Sequence, residues 1–143
     1  MTDFSILVVD DEPIIRMLVS RILSERGYKV SDAGSGEEAL SLVGTPSQRF
    51  DMLLTDLKMP GMGGKELAKR ARTIRPDLPI VFMSGYADGS DRLMTASDEF
   101  IEKPFTAVSL VAKIQQAFER HSNAMAAGID RGRTALLSAV TQR

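Results

Sequence analysis

"ILVVDDEP", residues 6–13, sets four apolar residues directly against three acids, with nothing basic between them. An unbroken apolar run of this length, without polar alternation, is what a strand buried on both faces of a parallel sheet shows. Acids that follow such a run stand at the C-terminal end of the strand. In a doubly wound α/β sheet those ends share one edge, and that edge is where such folds bind ligands. The stretch therefore predicts a fold and a site together.

The rest of the chain repeats the pattern. The opening run extends back to "FSILVV" (4–9); "FDMLLT" (50–55) and "PIVFM" (79–83) are further strand-like runs, with weaker ones at "YKVSDA" (28–33) and "EFIEK" (99–103). Between them lie helical spacings. Residues 13–26 carry Ile14, Ile15, Leu18, Ile22 and Leu23 at helix intervals, with Pro13 suited to the first helical position and Gly27 to the stop. Helices are also predicted over 36–43, over 64–75 and over 106–120, the last with Leu110, Val111, Ile114 and Phe118 on one face. Strand and helix alternate about five times, which implies an α/β fold with a five-stranded parallel sheet covered by helices on both sides.

Composition narrows the function. The chain has 143 residues, 43% hydrophobic, enough for one domain with a single core. A formal net charge of -1 argues against nucleic-acid binding by bulk electrostatics. With no cysteine and one histidine, His121, thiolate and multi-histidine metal sites are excluded. No run approaches the ~20 apolar residues of a membrane span, so a soluble, cytoplasmic protein is expected.

Asp10 and Asp11 end the first strand and Asp56 ends the third, in "LLTD". If strands one and three are neighbours, three carboxylates converge, and they repel unless a cation sits among them. An all-oxygen set completed by water suits Mg2+. Ser84 follows "IVFM" and Lys103 follows "EFIE", adding a hydroxyl and an ammonium. Acids, a divalent metal, a hydroxyl and a lysine can together hold a phosphoryl group, and the nucleophile would then be a carboxylate.

Four motifs, "VVDDEP", "LLTDLKMPGMGG", "FMSGYAD" and "FIEKPF", occur in an order and spacing that resembles the receiver domains of bacterial two-component response regulators, over roughly residues 4–121. The resemblance implies a flavodoxin-like sheet with strand order 2-1-3-4-5. It makes Asp56 the phosphoacceptor, attacking a phosphohistidine on a histidine kinase or histidine phosphotransfer protein. Mg2+ would be held by Asp10, Asp11, Asp56 and the backbone carbonyl of Lys58. Ser84 and Lys103 would meet the phosphoryl group, Ser84 and Phe100 would form the switch, and the Lys103–Pro104 bond would be cis. Phosphorylation would bias a two-state surface for a downstream protein target.

Two features depart from the family. From Ser84 to Lys103 the chain is a few residues short for a full helix, so the fourth helix of the family is expected to be short or irregular here. Residues 122–143 read as a C-terminal tail, with "TALLSAV" as a candidate short helix and too little chain for an output domain. The expected protein is a stand-alone receiver, a phosphoacceptor rather than an enzyme, serving as relay intermediate, phosphate sink or binding switch. Alternatives are a receiver from a hybrid histidine kinase and a non-phosphorylated pseudo-receiver. A phosphohydrolase of the haloacid-dehalogenase type fits less well, because its first strand ends in D-x-D rather than adjacent acids.

Overall fold

The structure, a computed structural model, describes residues 4–85 and 99–122. Five strands, β1 (Ser5–Val9), β2 (Lys29–Ala33), β3 (Met52–Asp56), β4 (Ile80–Ser84) and β5 (Glu99–Glu102), form one sheet in the order β2-β1-β3-β4-β5. Every pairing is parallel, with Val9 opposite both Ala33 and Thr55, and Asp56 opposite Met83. The flavodoxin-like order expected from the sequence is the order observed. Helices α1 (Pro13–Glu25), α2 (Gly36–Val43) and α3 (Gly64–Ile74) and a last helix over residues 107–122 complete the fold. The expected irregular helix before β5 lies outside the described residues; of the expected tail, 122–143, residue 122 still belongs to the last helix, and the rest lies outside the described residues.

Alternate side chains of each strand face opposite layers, so the sheet separates two cores. On one side Leu7, Val9, Leu53, Ile80 and Phe82 meet Ala39 and Val43 of α2 and Leu67, Ala68 and Ala71 of α3. On the other, Ile6, Val8, Met52, Leu54, Val81 and Met83 meet Val19 and Leu23 of α1 and Leu110 and Ile114 of the last helix. Both faces being buried explains why β1, β3 and β4 lack polar alternation. β2, at the sheet edge, is only partly covered, and its sequence is correspondingly mixed.

Local signals set the helix ends. Ser35 caps α2 by accepting the Glu38 N–H at 3.1 Å, while the Glu38 carboxylate accepts the Gly34 N–H at 3.1 Å. Gly27 follows α1 with φ +93°, a conformation that glycine adopts without strain. Glu99, buried at the start of β5, meets Arg120 of the last helix at 2.8 Å.

One expectation about packing is corrected. α1 turns Val19 and Leu23 into the core, with Ile15 and Ile22 partly buried, while Ile14, Met17 and Leu18 are 73%, 66% and 49% exposed. The helix is apolar around much of its circumference, so spacing alone does not single out the face that packs. Phe118, expected on the buried face of the last helix, is likewise partly exposed and packs edge-on against Phe4.

Candidate functional site

The C-terminal ends of β1, β3, β4 and β5 bring the sequence-predicted residues to one edge of the sheet. Asp10, just past β1, is fully buried; Asp56, the last residue of β3, is nearly so; Asp11 is half-buried. The three present carboxylate oxygens within 4.8 Å of one another. Ser84 ends β4 and is buried, and its carbonyl accepts the Lys103 N–H at 2.7 Å. The Lys103 Nζ lies 3.1 Å from Asp10 Oδ2 and 3.4 Å from Asp56 Oδ1. The Lys103–Pro104 peptide bond is cis. Phe100, half-buried on β5, stacks on Phe82 with ring centroids 5.3 Å apart.

Asp10 is held on every side: its N–H donates to the Ala33 carbonyl at 3.3 Å, its Oδ1 accepts the Glu12 N–H at 2.9 Å, and its Oδ2 accepts from Lys103. Burial pushes the Asp56 carboxyl above its ordinary pKa. Lys103 pulls it back down, and Asp10 and then Asp11 add to the rise. For Lys103 burial acts downward, but the Asp10 hydrogen bond and the Asp56 charge outweigh it and hold the ammonium above its usual value. The site is therefore an acid cluster only partly neutralised by one ammonium, and its oxygen-only donors fit a hard divalent cation.

This imbalance has a measurable consequence. Since the Asp56 pKa is raised on folding, its charged form costs stability, and the cost sets in as pH rises from the ordinary carboxylate range through the folded value. At neutral pH without divalent cations, Asp56→Asn is expected to melt higher than wild type, since its amide carries no charge for burial to penalise. The gap closes as pH falls into the carboxylate range. Added Mg2+ is expected to reverse the order, because wild type keeps a carboxylate at the candidate cation site that the Asn variant lacks. Scanning calorimetry with and without Mg2+ checks this, and an Asn variant that melts lower in both conditions contradicts it.

Sequence reasoning missed two residues beside the site. Gly64, the first residue of α3, lies so close to β3 that an added Cβ would fall 2.3 Å from the Asp56 carbonyl oxygen. Its position in the glycine-rich loop after Asp56 was the available signal. Arg16, on α1, donates to the Asp10 carbonyl at 2.6 Å, and nothing in local spacing announced that contact.

The family model for the response regulator receiver domain matches residues 6–115. The chain belongs to this family. It is 34% identical over 119 residues to the sensor kinase CckA of Brucella abortus, covering 81% of this chain and 13% of that one. Four curated relatives are matched over only 13% to 64% of their own lengths. Among solved structures, a CheY-like receiver domain protein from Methanospirillum hungatei superposes with a TM-score of 0.78 at 28% identity, over 86% of this chain and 99% of that one. The response regulator TrrA from Thermotoga maritima, solved in complex with Mg2+-BeF, gives a TM-score of 0.68 at 35% identity, over 80% and 98%. Receiver domains are signalling phosphoacceptors that bind Mg2+ at an acidic site and interact with histidine kinases or phosphotransfer proteins. Among the described residues of this receiver, no helix is long and apolar enough to cross a membrane.

Proposed function

We propose that this receiver takes a phosphoryl group onto Asp56 from a phosphohistidine and thereby acts as a relay intermediate, phosphate sink or binding switch. One observation carries the reading: an ammonium lies between Asp10 and the Asp56 carboxylate at 3.1 and 3.4 Å, at the sheet edge where Ser84 also ends. An Asp56 oxygen forms the new O–P bond while the N–P bond to the donor histidine breaks and its electron pair returns to the imidazole. Lys103 meets the negative charge on the phosphoryl oxygens, with the Ser84 hydroxyl assigned as a second donor. Asp10, Asp11, Asp56 and the Lys58 carbonyl are the proposed Mg2+ ligands; bound there, the ion supplies neutralising charge and orientation. Phe100 and Ser84 are assigned the switch.

Intact-mass spectrometry after incubation with acetyl phosphate tests this reading. A single phosphoryl adduct that requires Mg2+ and is absent from Asp56→Asn supports it. No adduct, under conditions where another receiver is modified, favours a binding module that does not take phosphate.

The partner's docking place is proposed beside the site. A cavity of about 300 Å3 is lined by Ile15, Leu18, Val19, Lys103, Pro104 and Phe105, and Leu18 is exposed there, with Ile14 and Met17 exposed on the same helix. An apolar surface that reaches Lys103 suits the helix that presents a phosphohistidine. Leu18→Arg is expected to slow transfer from a phosphorylated histidine phosphotransfer protein by at least about tenfold, the effect of losing an interface anchor. Transfer from acetyl phosphate stays at the wild-type rate. Equal slowing with both donors contradicts the docking role.

A further inference from the structure

We infer that Arg16, paired with Asp32, is a positioning residue that sets the peptide plane between Asp10 and Asp11, and through it the affinity of the acid cluster for Mg2+. The inference rests on the reading of Asp10, Asp11 and Asp56 as the Mg2+ site. A helical side chain covers the turn N-terminal to its own Cα, so residue 16 reaches back over the start of α1 toward the end of β1. There its Nη1 donates to the Asp10 carbonyl at 2.6 Å, and its Nε donates to Asp32 Oδ2 on β2 at 2.9 Å. The guanidinium is thus tied to two strand ends by a rigid fork.

The position of this contact gives it its effect. The Asp10 N–H, Oδ1 and Oδ2 are engaged by Ala33, Glu12 and Lys103, and its carbonyl lies beyond the last β1 pairing, where Arg16 supplies the donor. That carbonyl belongs to the peptide unit joining two of the three acids. Rotating the unit moves Asp11 relative to Asp10 and Asp56, and the spacing of the three oxygens is what a divalent cation reads. Gly34 completes the arrangement: a Cβ there would sit 3.1 Å from Arg16 Nη1, so the missing side chain leaves the guanidinium its place.

Charge and position are separable, because Arg16 and Asp32 offset each other. Arg16→Met combined with Asp32→Asn leaves the net charge unchanged, so its effect on cation binding reports position. Mg2+ dissociation constants are measured by titration calorimetry on wild type, the double variant, Arg16→Lys, Gly34→Val and Arg21→Met. The last breaks an exposed pair with Glu25 on the same helix, 3.0 Å long, and controls for loss of a structural ion pair on α1. The double variant should bind Mg2+ about tenfold more weakly, within the range for residues that orient metal ligands. Arg16→Lys should recover part of the loss, Gly34→Val should reproduce it, and Arg21→Met should bind as wild type. In acetyl phosphate reactions the Mg2+ concentration for half-maximal rate rises by the same factor, while the rate at saturating Mg2+ is retained. Binding within twofold of wild type in the double variant and in Gly34→Val overturns the positioning role while leaving the phosphoacceptor reading intact. A wild-type chain that binds no Mg2+ overturns both.

Discussion

Replacing Lys103 with methionine should slow phosphoryl transfer to Asp56 by about 10²–10³-fold while tightening the binding of Mg2+. The two effects have one origin. The Lys103 ammonium lies 3.1 Å from Asp10 and 3.4 Å from Asp56, in a site where Asp10 is fully buried and Lys103 itself is mostly covered. Removing a preorganised cation from the place where negative charge gathers in the transition state costs a rate factor of this order. In the resting protein the same removal leaves three acids without their ammonium, so a divalent cation entering the cluster meets less opposing charge. The metal-free variant should also lose ~3 kcal/mol of stability, as expected when one partner of a buried ion pair is deleted. Stopped transfer kinetics, Mg2+ titration and urea unfolding measure the three quantities. Weaker Mg2+ binding together with slower transfer would mean that Lys103 acts mainly by shaping the site, contrary to this account.

Gly64→Ala is expected to destabilise the protein by ~3 kcal/mol, at the upper end of the cost of overpacking. Helix propensity alone predicts the opposite sign, since alanine is favoured over glycine by up to ~1 kcal/mol within a helix. Sterics decide. The added Cβ would lie 2.3 Å from the Asp56 carbonyl oxygen and 3.0 Å from the Leu57 Cα, both backbone atoms that cannot turn aside. The Gly64 N–H donates to the Leu57 carbonyl at 2.9 Å, so the start of α3 cannot withdraw without losing that bond. Whatever movement relieves the clash displaces Asp56, the proposed nucleophile, and phosphorylation should slow with the loss of stability. Gly27→Ala is the control. Gly27 has φ +93°, but an added Cβ there would meet nothing within 4 Å, so only backbone strain of about 1–2 kcal/mol is expected, with phosphorylation unchanged. Denaturant unfolding of both variants checks the ranking, and a Gly64→Ala protein as stable as wild type contradicts it.

These two predictions mark what the sequence made legible. β1, β3 and β4 could be read because burial on both faces removes polar alternation, and the acids could be read because each follows directly on such a run. Asp10, Asp11, Asp56, Ser84 and Lys103 then meet through topology alone: parallel strands put their ends at one edge. The Gly64 contact was less visible, since glycines in a turn normally signal backbone freedom, whereas here the requirement is close approach of two backbones. Arg16 was invisible, because its partner lies six positions back across the β1–α1 turn and an arginine on a helix is ordinarily solvated. The packing face of α1 was hidden for a related reason. Ile14 and Leu18 satisfy helical spacing as well as Ile15, Val19 and Leu23 do, and only the layer that α1 packs against, the sheet strands with residues of the last helix, decides which set is covered.

The central claim is that the phosphoryl group forms an acyl phosphate on Asp56. Acyl phosphates of aspartate are reduced by borohydride to homoserine, whereas phosphoserine and phosphohistidine are not. Wild-type protein phosphorylated in the presence of Mg2+, reduced and mapped by peptide mass spectrometry should carry homoserine at position 56 and aspartate at positions 10 and 11. Homoserine at Asp10 or Asp11, or a phosphorylated protein with aspartate intact at all three positions, would contradict the account.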